Sequence, residues 1–291
     1  MVVATPFRRA VALAPAAMPR STRPEGPSLP SRRPASQPTT VAWLAPTMLA
    51  ALLLAGWLVM VRTADLPAFV LPSPGAVVSR LGDDLGSGPL WHYLGVTLLE
   101  ALGGCALGCL VGLPLAVAIH ESRWFSAAVN PFLGATQAIP AVALAPLLVL
   151  WVGYGLFPVM MLCALMVFFP ILVSTLVGLR HVDPEIIDAA RMDCAGRASQ
   201  LFWIEAPLAL PSALAGLRNG FTLSITGAVV GEMVMGGNGL GQVLTVQRDQ
   251  VDTTGMFSTL IVLCTAASII YTLLRVVERR SKLVNAQVRD L

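Results

Sequence analysis

A single lysine, Lys282, occurs in 291 residues, and charged side chains of all kinds make up only 12% of the chain. Because Leu283 follows that lysine, no GxxxxGK[ST] phosphate loop exists anywhere in the sequence, and any ATP chemistry associated with this chain belongs to another polypeptide. Cysteine is scarce and unpatterned: Cys105, Cys109, Cys163, Cys194 and Cys264 form no CxxC or Cys/His metal spacing, which leaves them as packing residues. Three histidines, His92, His120 and His181, have no Ser, Cys or carboxylate arrangement in sequence that suggests catalysis, so each reads as a solvated or capping histidine. Catalytic residues, cofactors and metals are therefore expected to be absent. The net charge of +3 carries no nucleic-acid signal, because the arginines are unevenly distributed along the chain.

What the chain has in quantity is apolar surface, with 56% hydrophobic residues and a mean hydropathy of +0.75. Crossing roughly 30 Å of hydrocarbon takes about 20 helical residues. Six runs meet that length, at 43–61, 94–119, 127–152, 156–177, 214–234 and 257–277. Strands spanning a membrane would show about ten residues of alternation instead, so the expected fold is an all-α polytopic membrane protein of six helices. Residues 1–40 are rich in Pro, Ser, Arg and Thr and read as a disordered tail, with the first transmembrane helix at 41–62 and the main transmembrane domain at 63–291.

Arginine placement orients the bundle. The N-terminal tail, the segment around Arg123, the segment with Arg180, Arg191 and Arg197, and the C-terminal tail with Arg275, Arg279, Arg280 and Lys282 fall on one side, which is the cytosol by the positive-inside rule. Both termini are then cytosolic. The opposite loops hold Asp65, Asp83, Asp84, Asp249 and Asp252.

One cytosolic segment, 178–213, is much longer than the other at 120–126. Asp183-Pro184 caps and starts a helix there, and a second amphipathic stretch, 198–206, is expected to stop at Pro207. The run Asp188-Ala189-Ala190-Arg191, with Ile204 sixteen positions after Asp188 and Pro207 three further on, resembles the EAA loop of binding-protein-dependent ABC importer permeases, the MetI-like family. Asp188 stands where that family has Glu, Ala206 where it has Leu, and Cys194 where it usually has the glycine of a tight turn; either Gly196 takes over the turn or the turn is rearranged. Leu71-Pro72-Ser73-Pro74, Ile139-Pro140, Leu150-Trp151-Val152-Gly153, Phe168-Phe169-Pro170 and Gly231-Glu232 with Gly239-Leu240-Gly241 are similar to the nitrate, sulfonate and taurine branch; permeases for thiamine-pyrimidine precursors and riboflavin share much of the pattern.

The resemblance implies a homodimeric or paired permease core in a bacterial inner membrane, two cytosolic ATPase subunits that bind the ATP, an external substrate-binding protein, and membrane lipid around the bundle. It places ATPase coupling on Asp183, Asp188, Ala189, Ala190, Arg191, Cys194, Gly196, Ile204 and Pro207. Polar residues at membrane depth, Gln137, Asn219, Thr222 and Glu232, together with Pro140, are candidates for the translocation path or its gate. Glu100 is expected to be paired or to snorkel outward, Arg218 to snorkel toward the cytosol, and the glycines at 103, 104, 108 and 112 to pack against another helix.

Overall fold

A computed structural model describes residues 39–289 apart from 64–66, 68, 87, 138 and 193–195. The tail at 1–38 and Cys194 lie outside the described residues. Two units are distinguished, residues 1–53 and 54–291. Of the first, the described part is the beginning of helix α1 (Thr39–Thr63).

The second unit is a helical bundle of α2 (Pro74–Gly86), α3 (Pro89–Glu121), α4 (Arg123–Gln137), a 3-10 turn (Ala141–Leu144), α5 (Ala145–Val152), α6 (Leu156–Arg180), α7 (Pro184–Met192), α8 (Arg197–Gln200), a π turn (Leu201–Glu205), α9 (Ala206–Met235), α10 (Leu240–Asp249) and α11 (Thr253–Arg289). Among the described residues no strand occurs.

Among the described residues three helices are long and apolar enough to cross a membrane, α3, α6 and α11 over Thr253–Arg280; a fourth span results if Arg197–Met235 and α10, bent by 50°, count together. The expected span at 127–152 is not a single helix. Pro140 (φ −66°, ψ 111°) is extended, so α4 ends before it, and Pro146 sits in the first turn of α5. A proline lacks the N–H that a continuous ladder needs, and three in this stretch (131, 140, 146) divide it into pieces.

Helix α6 lies between α3 and α9, and small residues set the distances. A Cβ at Gly104 would overlap Cys163 Cβ and stand 2.7 Å from the Met160 carbonyl oxygen; one at Gly216 would stand 2.9 Å from the Pro170 carbonyl oxygen and 2.6 Å from Ser174 Cβ. Glycine is thus what lets the backbones meet, as the spacing in α3 predicted. Between a lipid-soluble helix and lipid there is little hydrophobic difference, so close packing of this kind carries much of the association. Around these contacts Leu162, Cys163, Val167 and Ile171 of α6 pack with Ala101 and Cys105 of α3 and Phe221, Ile225 and Ala228 of α9, all nearly inaccessible.

At the end of the bundle with the acidic loops, Ser73 Oγ caps the Ala76 N–H (3.2 Å) at the start of α2. Asp84 accepts hydrogen bonds from Arg80 (2.9 Å) and Ser258 (2.7 Å), joining α2 to α11, and Asp252 Oδ1 caps the Gly255 N–H at 2.9 Å.

Candidate functional site

The loop between α6 and α9 begins as its sequence predicts. Asp183 Oδ1 accepts the Glu185 N–H (3.0 Å) and the Asp183 carbonyl accepts the Ile186 N–H (3.1 Å), satisfying donors at the start of α7 that would otherwise be orphaned. Asp183, just before α7, and Asp188, Ala189 and Arg191 on it are exposed, whereas Ala190 is 8% exposed and faces inward. Asp188 and Arg191 pair at 2.9 Å, a solvent-exposed bridge of small energetic weight.

The second half of the loop departs from expectation. No helix stops at Pro207: a continuous helical run extends over Arg197–Met235, and the π turn at Leu201–Glu205 precedes the proline, with the Ala206 N–H reaching back five residues to the Leu201 carbonyl. Widening the turn accommodates a residue that cannot donate and whose ring would press on the preceding turn. Ile204 lies half-buried within that turn, and Pro207 is exposed. Gly196 also differs from the alternative in which it replaces the family glycine. Its φ of −65° and ψ of 158° are extended, a conformation open to any residue, and an added Cβ meets nothing within 4 Å. Gly196→Ala is accordingly expected to leave the unfolding midpoint within about 1 °C of the parent, checked by thermal unfolding in detergent.

The π turn aims Glu205 into the bundle, where it is fully enclosed. Its Oε2 lies 2.6 Å from His120 Nε2 at the end of α3, and its Oε1 accepts from Arg197 Nη1 at 2.9 Å. Arg197 also grips Glu121 with two parallel bonds, Nε to Oε2 at 2.8 Å and Nη2 to Oε1 at 2.7 Å. Bidentate guanidinium–carboxylate geometry is the strong form of such a pair. One donor atom each from His120, Glu121 and Glu205 falls within 4.8 Å of the others, a spacing a metal ion could use, but the Arg197 guanidinium already supplies the positive charge there. His120 is therefore a hydrogen-bonding partner at the base of the loop instead of a solvated histidine, and the four residues fasten the loop to α3.

A second enclosed network lies at the other end of α9. Glu232 is inaccessible; its Oε1 accepts the Thr97 hydroxyl (2.7 Å) from α3, and its Oε2 accepts the Gly241 N–H of α10. Thr97 Oγ1 in turn accepts the Leu240 N–H at 2.8 Å. A side chain at Gly239 would overlap both the Glu232 carboxylate and Thr97 Oγ1, which explains the glycine at that point of the Gly239-Leu240-Gly241 motif. Glu100 does not snorkel. It is fully enclosed against the carboxyl group of Glu232, which is the paired alternative. Arg218 pairs at 2.8 Å with Glu278, near the C-terminal end of the α11 span, and lies 5.2 Å from the centre of the Tyr271 ring.

The remaining candidates are distributed over a surface. Asn219, Thr222 and Thr226 are exposed along one side of α9, and Pro140 lines a groove of about 770 Å³ with Leu144, Phe168, Phe169, Val173 and Leu223. Gln137 ends α4, and its side chain lies outside the described residues. Glu232 is thus separated from this surface by burial. Of the partners that sequence reasoning missed, Thr97 and His120 have one signal in hindsight, a polar residue at either end of the apolar run 94–119, whereas Arg197 and Glu205 lie inside the loop and have none.

Residues 106–283 match the family described as "Binding-protein-dependent transport system inner membrane component". The chain is 42% identical over 228 residues to the riboflavin transport system permease protein RibX of Chloroflexus aurantiacus, covering 78% of this chain and 85% of that protein. It is 28% identical over 238 residues to the putative aliphatic sulfonates transport permease protein SsuC of Bacillus subtilis, covering 82% and 86%. Inward-facing structures of the MetNI methionine ABC transporter include a chain that superposes with a TM-score of 0.61 at 19% identity, over 66% of this chain and 95% of that one, a likeness of fold. With its apolar helices, its EAA-like loop and these matches, the chain belongs to the MetI-like family of inner-membrane permease components of binding-protein-dependent ABC transport systems.

Proposed function

We propose that this chain forms the translocation path of an ATP-driven importer, crosses the membrane six times with both termini cytosolic, and works as a pair of permease subunits with two ATPase subunits and an external binding protein. The observation that carries this reading is the loop itself: α7 presents Asp188, Ala189 and Arg191 outward while Arg197, Glu205, Glu121 and His120 tie its base to α3. A helix exposed on one side and rigidly joined to a membrane helix on the other transmits displacement. ATP-driven closure of the ATPase pair would move α7 and rock the bundles, exposing the path to the binding protein; relaxation would pass the solute inward. The ATPases supply all the hydrolytic chemistry.

For cargo, a flat heteroaromatic solute of the riboflavin type is favoured by the 42% identity to RibX, and the groove with Phe168, Phe169 and Pro140 offers aromatic and apolar contacts to such a ring. The second reading, a sulfonate, nitrate or taurine-type anion, is favoured by the similarity to SsuC and by the exposed Asn219, Thr222 and Thr226.

Because Ala189 is exposed and Ala190 is not, Ala189→Glu tests docking without disturbing the bundle. Tagged parent is expected to co-purify a P-loop ATPase from its native membrane, and Ala189→Glu to lose at least about 90% of it with an unchanged unfolding midpoint, since a buried unpaired carboxylate in an interface costs several kcal/mol. Full retention of the ATPase would move the docking site elsewhere. Proteoliposomes holding the complete assembly, assayed with riboflavin and with taurine, separate the two cargo readings.

A further inference from the structure

Beside the coupling loop is a second feature that transport does not require. Helix α4 begins directly after α3 and carries Arg123, Ser126, Ala127 and Asn130 at i, i+3, i+4 and i+7, one side of a helix. These residues, with Arg180 from the last turn of α6, line a pocket of about 420 Å³ floored by Ile119. We propose that this pocket binds the phosphodiester headgroup of an anionic phospholipid.

Charge is the first argument. Arg80, Arg191, Arg197, Arg218 and Arg248 each meet a carboxylate; among the described residues Arg62, Arg123, Arg180, Arg275, Arg279 and Arg280 have no ion-pair partner, and of these Arg123 and Arg180 line one pocket together. Two uncompensated guanidinium groups on different helices thus open onto one pocket. Guanidinium donors in a fork match phosphate oxygens well.

Hydrogen bonding is the second. Ser126 Oγ accepts from Asn130 Nδ2 (3.0 Å) and from Arg180 Nη2 (3.3 Å). With both lone pairs engaged, its own O–H remains as a donor toward the pocket. The Asn130–Ser126–Arg180 chain also holds Arg180 against α4, so one of the two cationic side chains is positioned before a ligand arrives.

Position is the third argument. The pocket lies where α3 and α6 end, at the edge of two spans, and Trp124 (82% exposed) and Phe132 (69% exposed) project from the same short helix. Aromatic side chains at span ends sit at headgroup depth, and basic pockets between transmembrane helices take anionic headgroups. A free phosphate would need the arginines but not the aromatic flanks. A lipid uses both, with acyl chains continuing along the exposed apolar side of α4. The inference rests on the membrane placement of the bundle, independently of cargo or ATPase docking.

The test is native mass spectrometry of the purified chain in detergent, titrated with phosphatidylglycerol and with phosphatidylcholine. The parent is expected to bind phosphatidylglycerol on the order of thirtyfold more tightly, about fivefold for each of two arginines, and the double variant Arg123→Gln, Arg180→Gln to fall to about twofold. Arg123→Lys, Arg180→Lys keeps both charges and is expected to retain most of the preference, which separates loss of charge from loss of fold. Equal binding of the two lipids by the parent, or an undiminished preference in the glutamine variant, would overturn the proposal. So would displacement of phosphatidylglycerol by inorganic phosphate at comparable concentration, since the site would then take the free anion. Neither result bears on Ala189→Glu and ATPase capture, so this inference and the importer reading stand or fall separately.

Discussion

Gly104→Leu is expected to abolish the folded bundle, seen as loss of the monodisperse peak in detergent and of the cooperative thermal transition. A side chain there meets Cys163 Cβ and the Met160 carbonyl, both parts of α6 that cannot yield by a rotamer change. Overpacking of a closely fitted core costs about 1–3 kcal/mol where side chains can shift, and more where a backbone must move. Helix separation would also sacrifice the packing at Gly108 and Gly112, which meet α6 at Val167 and Phe168. Gly95→Ala, in the same helix with nothing within 4 Å, is the matched control: it is expected to be neutral or to stabilise by up to about 1 kcal/mol through helix propensity. If Gly104→Leu unfolds no more readily than Gly95→Ala, the close approach of α3 and α6 is not a property of the protein.

Glu232→Ala is expected to lower stability by about 3 kcal/mol, or roughly 6–12 °C in the unfolding midpoint, because it strands donors in an enclosed site. The Thr97 hydroxyl and the Gly241 N–H both point at this carboxylate, and no water route is needed to explain its burial. Thr97→Val should cost less, since Glu232 keeps the Gly241 N–H as a donor and the one N–H that loses its acceptor is that of Leu240. The double variant then discriminates roles. If Glu232 acts through this network, the two substitutions are non-additive by more than about 0.5 kcal/mol; strict additivity would mean that the carboxylate works elsewhere, for example on solute. Transport assays on Glu232→Gln that lose rate with an unchanged unfolding midpoint would point the same way.

Much of this arrangement was legible along the chain. Hydropathy marked the spans of α3, α6 and α11, Asp183-Pro184 marked the start of α7 to the residue, and the glycines of α3 announced a close neighbour. All three are local signals: an apolar run, a cap and a small-residue spacing report on the chain within a few turns. Proline was harder. Pro140 and Pro146 divide one expected span, whereas Pro207 sits inside a continuous helical run because a π turn precedes it. A proline in isolation permits both outcomes, and the tertiary setting of its neighbours selects between them.

Polar residues in apolar segments were read as costly to bury, which is correct, but their partners were out of reach. Glu232 is 135 positions from Thr97, and His120 is 85 from Glu205. The sequence alone determined that this chain lies in a membrane, that it holds no phosphate loop for ATP, and which loop resembles the EAA loop, because those conclusions depend on composition, spacing and local helix chemistry. Only the tertiary structure decided that Glu232 is locked away while Asn219 and Thr222 are exposed, that Ala189 and not Ala190 faces outward, and that Arg123 and Arg180 open onto one pocket. Those are properties of faces brought together by packing, and a face has no partner until distant helices meet.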